Sequence, residues 1–118
     1  MSTDITPLNE IAGFLGACLV DSETGMMLAA EGGGARLDLE VAGAANAEVV
    51  RAKNEAIRTL GLKDSIEDIL LTLDSQFHLI RPLHANPTVF VYLALDKKAA
   101  NLAMARLKVK SLEGTLKI

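Results

Sequence analysis

Tryptophan is absent from this chain, and aromatic residues make up only 3% of it, one Tyr and three Phe in 118 residues. Stacking platforms for sugars, nucleobases or single-stranded nucleic acid need exposed rings, so the scarcity argues against all three. Cysteine occurs once, as Cys18. That excludes a disulfide framework and a multi-cysteine metal site, and makes a reducing, cytoplasmic location the default expectation. Positive charge is missing at the start: no Lys or Arg precedes Arg36, while Asp4, Glu10, Asp21, Glu23 and Glu31 fall in that stretch. With a formal net charge of -3, non-specific binding to nucleic-acid phosphates is not expected. Long hydrophobic runs are lacking too. The apolar run from Ile11 to Val20 follows Glu10 with no basic segment ahead of it, and it is about half the length a membrane span needs. It reads as a helix end followed by a buried strand, and no membrane insertion is expected.

What is present is aliphatic: half of the residues are hydrophobic, mostly Ala, Leu, Val and Ile. Residues 1–118 make one domain, long enough to bury a core and too short to divide. The charge reverses toward the end, where Lys97, Lys98, Arg106, Lys108, Lys110 and Lys117 face Glu113 alone. Either the two ends of the chain lie close and partly neutralise each other, or a basic C-terminal helix meets an acidic partner or an anionic lipid surface.

Punctuation along the chain predicts eight elements. A short helix runs from Pro7 to Gly13, capped by Thr6, with Leu8, Ile11 and Ala12 as its stripe. Strands follow over Leu15–Asp21 and Met26–Glu31, joined by a turn at Ser22–Gly25 and closed by Gly32-Gly33-Gly34. A long helix spans Leu37 to Leu60 and stops at Gly61. Its helical spacing puts Ala42, Ala45, Val49, Ala52, Ala56, Ile57 and Leu60 on the expected core side. Gly43, Ala44 and Ala47 then fall on the polar side, beside Glu48, Arg51 and Glu55, as a patch where a second backbone could come close. Three strands come next, Ile66–Asp74, Gln76–Leu83 and Thr88–Leu95, and then a helix from Lys97 to Leu112 capped by Asp96. In that helix Leu102, Ala105, Val109 and Leu112 form the core stripe, and Ala100, Met104 and Leu107 form a second apolar strip. The expected fold class is α+β, an α/β sandwich of order αββαβββα. Its five mostly antiparallel strands carry the long helix on one face and the terminal helices on the other. The strand Ile66–Asp74 has no Pro or Lys to blunt it, so Ile66, Asp68, Leu70 and Thr72 are expected at an edge that pairs with a second copy.

Catalytic chemistry is sparse. The glycine triplet before the long helix lacks the Lys-Ser/Thr of a phosphate-binding loop and the spacing of a dinucleotide fingerprint, so it reads as a loop. His78 and His84 have no metal-ligand spacing, and Cys18 lies in an apolar strand as a small core residue. No catalytic residue, metal ligand or cofactor is expected, and the chain reads as an interaction module rather than an enzyme.

Element order and short motifs together resemble the Roadblock/dynein light-chain domain family along essentially the whole chain. The first hairpin carries Gly16-Ala17-Cys18-Leu19-Val20-Asp21 and then Thr24-Gly25. The second half carries Glu67-Asp68-Ile69-Leu70-Leu71-Thr72 and Phe77-His78-Leu79-Ile80-Arg81-Pro82-Leu83. It continues with Val91-Tyr92-Leu93-Ala94-Leu95-Asp96 and Ala100-Asn101-Leu102-Ala103-Met104-Ala105-Arg106. The resemblance implies a homodimer in which the third strand pairs with its copy and the long helices lie side by side. It also implies a small Ras-like GTPase as partner, with the chain acting as regulator or scaffold. The family offers no shared catalytic residue, so Arg51, Arg58 and Arg106 gain no arginine-finger role from it. Two other classes stay open: a nucleotide-independent structural adaptor, and a small-ligand sensor with an internal apolar cavity.

Overall fold

The computed structural model describes residues 3–118. A 3-10 helical turn, Thr6–Glu10, precedes strands β1 (Phe14–Asp21) and β2 (Met27–Gly32). Helix α1 (Leu39–Thr59) follows, then β3 (Ile69–Thr72), β4 (Gln76–Pro82), β5 (Val89–Asp96) and helix α2 (Leu102–Glu113). The five strands form one sheet in the order β2-β1-β5-β4-β3, and every neighbouring pair is antiparallel. This is the expected α+β sandwich.

The central strands are covered on both faces, which explains their unbroken apolar runs. Every residue of β5 from Val89 to Leu95 is buried. On one face Leu19, Leu79, Val91 and Leu93 meet Leu8 of the first turn and Ala105, Val109 and Leu112 of α2. On the other, Cys18, Val20, Phe90 and Tyr92 meet Leu39, Ala47 and Val50 of α1.

The first helix is shorter and tighter than its periodicity suggests. Thr6 is not its cap: Ile5 holds that place without a side-chain bond, while the Thr6 amide donates to Asp4 Oδ1 at 3.0 Å. A single turn of this kind has little stability of its own. The fully buried Leu8 anchors it, contributing about 2 kcal/mol.

Helix α1 is capped at both ends. The Asp38 side chain accepts from the amides of Glu40 and Val41. Gly61, at φ 72°, turns the chain out, its amide donating to Arg58 and that of Leu62 to Ile57. Helix α2 begins later than expected, at Leu102, because Asn101 rather than Asp96 supplies the cap by accepting from the Met104 amide at 3.1 Å. Ala100 consequently lies ahead of the helix and packs half-buried against the core, leaving the second strip to Met104 and Leu107. The expected β3 also contracts. Ile66 and Asp68 lie in the connection before Ile69 rather than in the strand, where Asp68 turns to Arg106 of α2 at 3.2 Å. At the opposite edge, the β1–β2 register shifts between Leu19 and Val20, leaving Leu28 as an extra, bulged residue.

Candidate protein-interaction surface

Helix α1 has two apolar faces, and the sheet takes the one with Gly43 and Ala47 at its centre. Its buried positions are Leu39, Gly43, Ala47 and Val50, spaced four, four and three apart as one helical face requires. Gly43 and Ala47 therefore do not form an outward close-contact patch. Their close neighbour is the chain's own sheet. A Cβ added at Gly43 would stand 3.0 Å from Val20 Cγ2 and 3.6 Å from Cys18 Sγ, so the helix lies against β1 closely enough to exclude a larger side chain. Ala44, one position on, is exposed and borders Gly25 in the β1–β2 turn.

The stripe expected in the core faces outward instead. Ala45, Val49, Ala52, Ala56 and Leu60 are all exposed, with Val41 at 64%, Val49 at 38% and Leu60 at 72%. Of that expected stripe only Ala42 and Ile57 are half-buried. An outward row of this kind, rimmed by charge, is a candidate protein contact. Ala44, Glu48, Arg51 and Glu55 run along its side, all exposed. Arg51 is not free within that rim, because its guanidinium donates to the Ser22 carbonyl, and Glu55 is bound to Arg58.

Strand β3 supplies the second part of the surface. It forms the end of the sheet beyond β4, with Leu71 at 48% and neighbouring Leu73 at 39% exposure. Leu70 points to the α2 side and packs half-buried against that core, whereas Thr72 is exposed. Because α1 rests mainly on β1 and β2, the α1 side of β3 is left open. Leu71 sits there opposite His78 of β4.

The titratable groups with shifted values take part in packing and hydrogen bonding. Burial pushes the Cys18 thiol up to about 12, keeping it protonated and unreactive. The Tyr92 hydroxyl is likewise pushed up to about 12, mainly by burial. It lies 3.2 Å from His78 Nδ1, and His78 Nε2 lies 2.7 Å from Gln76 Oε1. Burial holds the His78 imidazole below its ordinary value of 6.5. Glu113 carries the most enclosed ion pair: Arg81 Nε is 2.7 Å away, with the two side chains 13% and 11% exposed. Burial pushes this carboxyl up, but hydrogen bonds from Arg81 and the His84 amide, with the Arg81 charge, outweigh it and lower the value. Among the described residues no cluster of three or more His, Cys, Asp or Glu is placed to hold a metal. No helix among them is long and apolar enough to cross a membrane.

One feature had no forewarning in the motifs. A groove of about 750 Å³ lies between the α1–β3 connection, the β4–β5 loop and the end of α2, and it is open to solvent. Ile66, expected at the pairing edge, lines this groove.

The arrangement of the sheet and its two helix layers decides the comparison. Aligned on structure, MglB of Myxococcus xanthus is similar with a TM-score of 0.80 and 16% identity, over 92% of this chain and 78% of that one. A Roadblock/LC7 domain from Streptomyces avermitilis is similar with a TM-score of 0.80 and 14% identity, over 96% and 94%. The chain has the Roadblock fold. A further Roadblock-fold structure, an MglB with a tetrameric arrangement, matches with a TM-score of 0.75 and 17% identity, over 93% and 79%. No protein-family model matches the sequence, and no curated protein does. The Roadblock likeness therefore lies in the backbone fold.

Proposed function

We propose that the chain is a homodimeric, cytoplasmic regulator or scaffold for a small Ras-like GTPase. The observation that carries this reading is the outward apolar stripe of α1. It extends from Val41 to Leu60 on the side away from the core, a length of roughly 28 Å at the usual helical rise. A second copy related by a twofold axis brings an identical stripe, so the two long helices cover each other. Backbone pairing of β3 with its copy satisfies the sheet end at the same time, and brings the partner's helix toward exposed Leu71. In the pair, each line of Ala44, Glu48, Arg51 and Glu55 borders the paired helices, and this composite face meets the switch region of the GTPase.

The GTPase as partner comes from the Roadblock resemblance and fold, and the dimer comes from the exposed stripe and the open edge. No residue of the rim is assigned a chemical step. Arg51, held by Ser22, is a structural anchor. Any effect on hydrolysis arises by ordering residues of the GTPase itself, a shift in population that requires different affinity for its two nucleotide states. The test is a titration against the cognate GTPase loaded with GTP analogue or GDP. Unequal affinity is expected. Equal affinity sinks regulation and leaves the nucleotide-independent adaptor.

A further inference from the structure

We propose that the outer face of α2, with the groove at its C-terminal end, docks an acidic amphipathic segment of a partner protein. This surface does not rest on the GTPase reading, since α1 lies on the other face of the sheet.

The buried side of α2 is Ala105, Val109 and Leu112. Opposite it stand Met104 and Leu107, 60% and 61% exposed, one turn apart with exposed Ala103 and Ser111 beside them. A single exposed Leu needs no explanation. Here a flexible Met and a Leu are adjacent, flanked by small residues, on a helix whose Lys110 has no carboxylate partner among the described residues. From Lys97 to Leu112 there is no Asp or Glu. Arg106 is engaged by Asp68 at 3.2 Å and Lys108 reaches Glu10 at 3.7 Å. Lys110 on the helix, and Lys97 and Lys98 in the turn ahead of it, have no carboxylate within reach among the described residues, and Lys97 lies 5.8 Å from the centre of the Phe77 ring.

Lys110 belongs both to α2 and to the wall of the groove, where Lys117 joins it above Pro82, Leu83 and Leu116. Of the two carboxylates lining the groove, Glu113 is committed to Arg81 and the His84 amide. Glu67 belongs to the α1–β3 connection. The strip and the hollow thus share one helix and meet at Lys110, and the ammonium groups of Lys110 and Lys117 border the hollow. The complementary ligand is a helix with apolar anchors one turn apart and Asp or Glu beside them. Methionine suits such a contact because its unbranched thioether adapts to the partner's shape. A lipid surface fits less well. Helix α2 carries no aromatic residue to seat at a bilayer interface, and acidic Asp4 and Glu10 flank the first turn in the same layer.

The experiment uses the full chain and a fluorescent synthetic helical peptide with Leu at i,i+4 and Glu beside them, followed by anisotropy. A twin with Lys for Glu serves as control, and phosphatidylcholine vesicles with about one-third phosphatidylserine are tested by co-sedimentation. The acidic peptide should bind, more weakly as salt rises, and the twin should not. Met104→Glu with Leu107→Glu should weaken binding by about tenfold or more. Lys110→Glu alone should weaken it measurably, which keeps the test decisive if the double variant misfolds. Absence of binding at millimolar peptide, equal binding of the twin, or undiminished binding by Lys110→Glu overturns the proposal. Sedimentation with vesicles while the peptide is ignored overturns it in favour of lipid.

Discussion

Gly43 shows how much one missing side chain decides. A glycine inside a helix costs about 0.5–1 kcal/mol relative to Ala, yet here it lets α1 rest on Val20 and Cys18. Gly43→Val should destabilise the fold by about 1–3 kcal/mol through overpacking. Ala44→Val, at the exposed neighbour, should cost only a few tenths, and urea denaturation of the two compares them. Titration separates two further residues. The His78 value is lowered from 6.5 by burial, so its contribution to stability is intact above 6.5 and is lost as pH falls through the lower folded value. The Glu113 value is lowered from 4.5, so its contribution holds above 4.5 and is lost as pH falls further. Melting temperature should therefore drop in two stages on acidification, with His78→Gln removing the first stage and Glu113→Gln the second.

Among the elements, β1, β2, β4, β5 and α1 were legible because unbroken apolar runs, turn residues and a closing Gly61 mark them directly. The face of α1 was not. Hydrophobic spacing identifies two apolar rows on that helix and cannot say which row the sheet takes. The larger row looks like core, but packing distance at Val20 favours the smaller one. Of the expected patch, Ala44, Glu48, Arg51 and Glu55 are exposed as anticipated, while Gly43 and Ala47 are not. Strand β3 is shorter than its apolar run suggests: Asp68 instead pairs with Arg106 of α2 and Ile66 lines the groove, contacts distant in sequence that no local pattern carries. The caps are local and correspondingly testable. Asp38→Ala removes the acceptor for Glu40 and Val41 and should cost about 1 kcal/mol, measured by thermal unfolding.

For the molecule as a whole, the dimer proposed above covers the outward stripe of α1 and the open side of β3 with the same second copy. Wild type should run as a dimer in light scattering, with a melting temperature that rises with concentration. Leu71→Arg places a charge at a half-exposed position of the sheet end and should yield a folded monomer. A monomeric wild type would dissolve the composite helix surface on which the GTPase reading stands. Leu70 is a poorer choice for this test, because it packs against the α2-side core and its loss would confuse unfolding with dissociation.

The bulge at Leu28 bears on growth. In polymer terms, a sheet with two adhesive ends is a bifunctional monomer and extends indefinitely, whereas one reactive end makes a chain terminator. The register shift between Leu19 and Val20 spoils the β2 end while β3 pairs in an unbroken register with β4. In the proposed dimer, joining two copies through β3 would leave each with the bulged β2 end, whose register shift opposes further strand addition. Larger assemblies of such a dimer would then grow through helix faces rather than by adding strands.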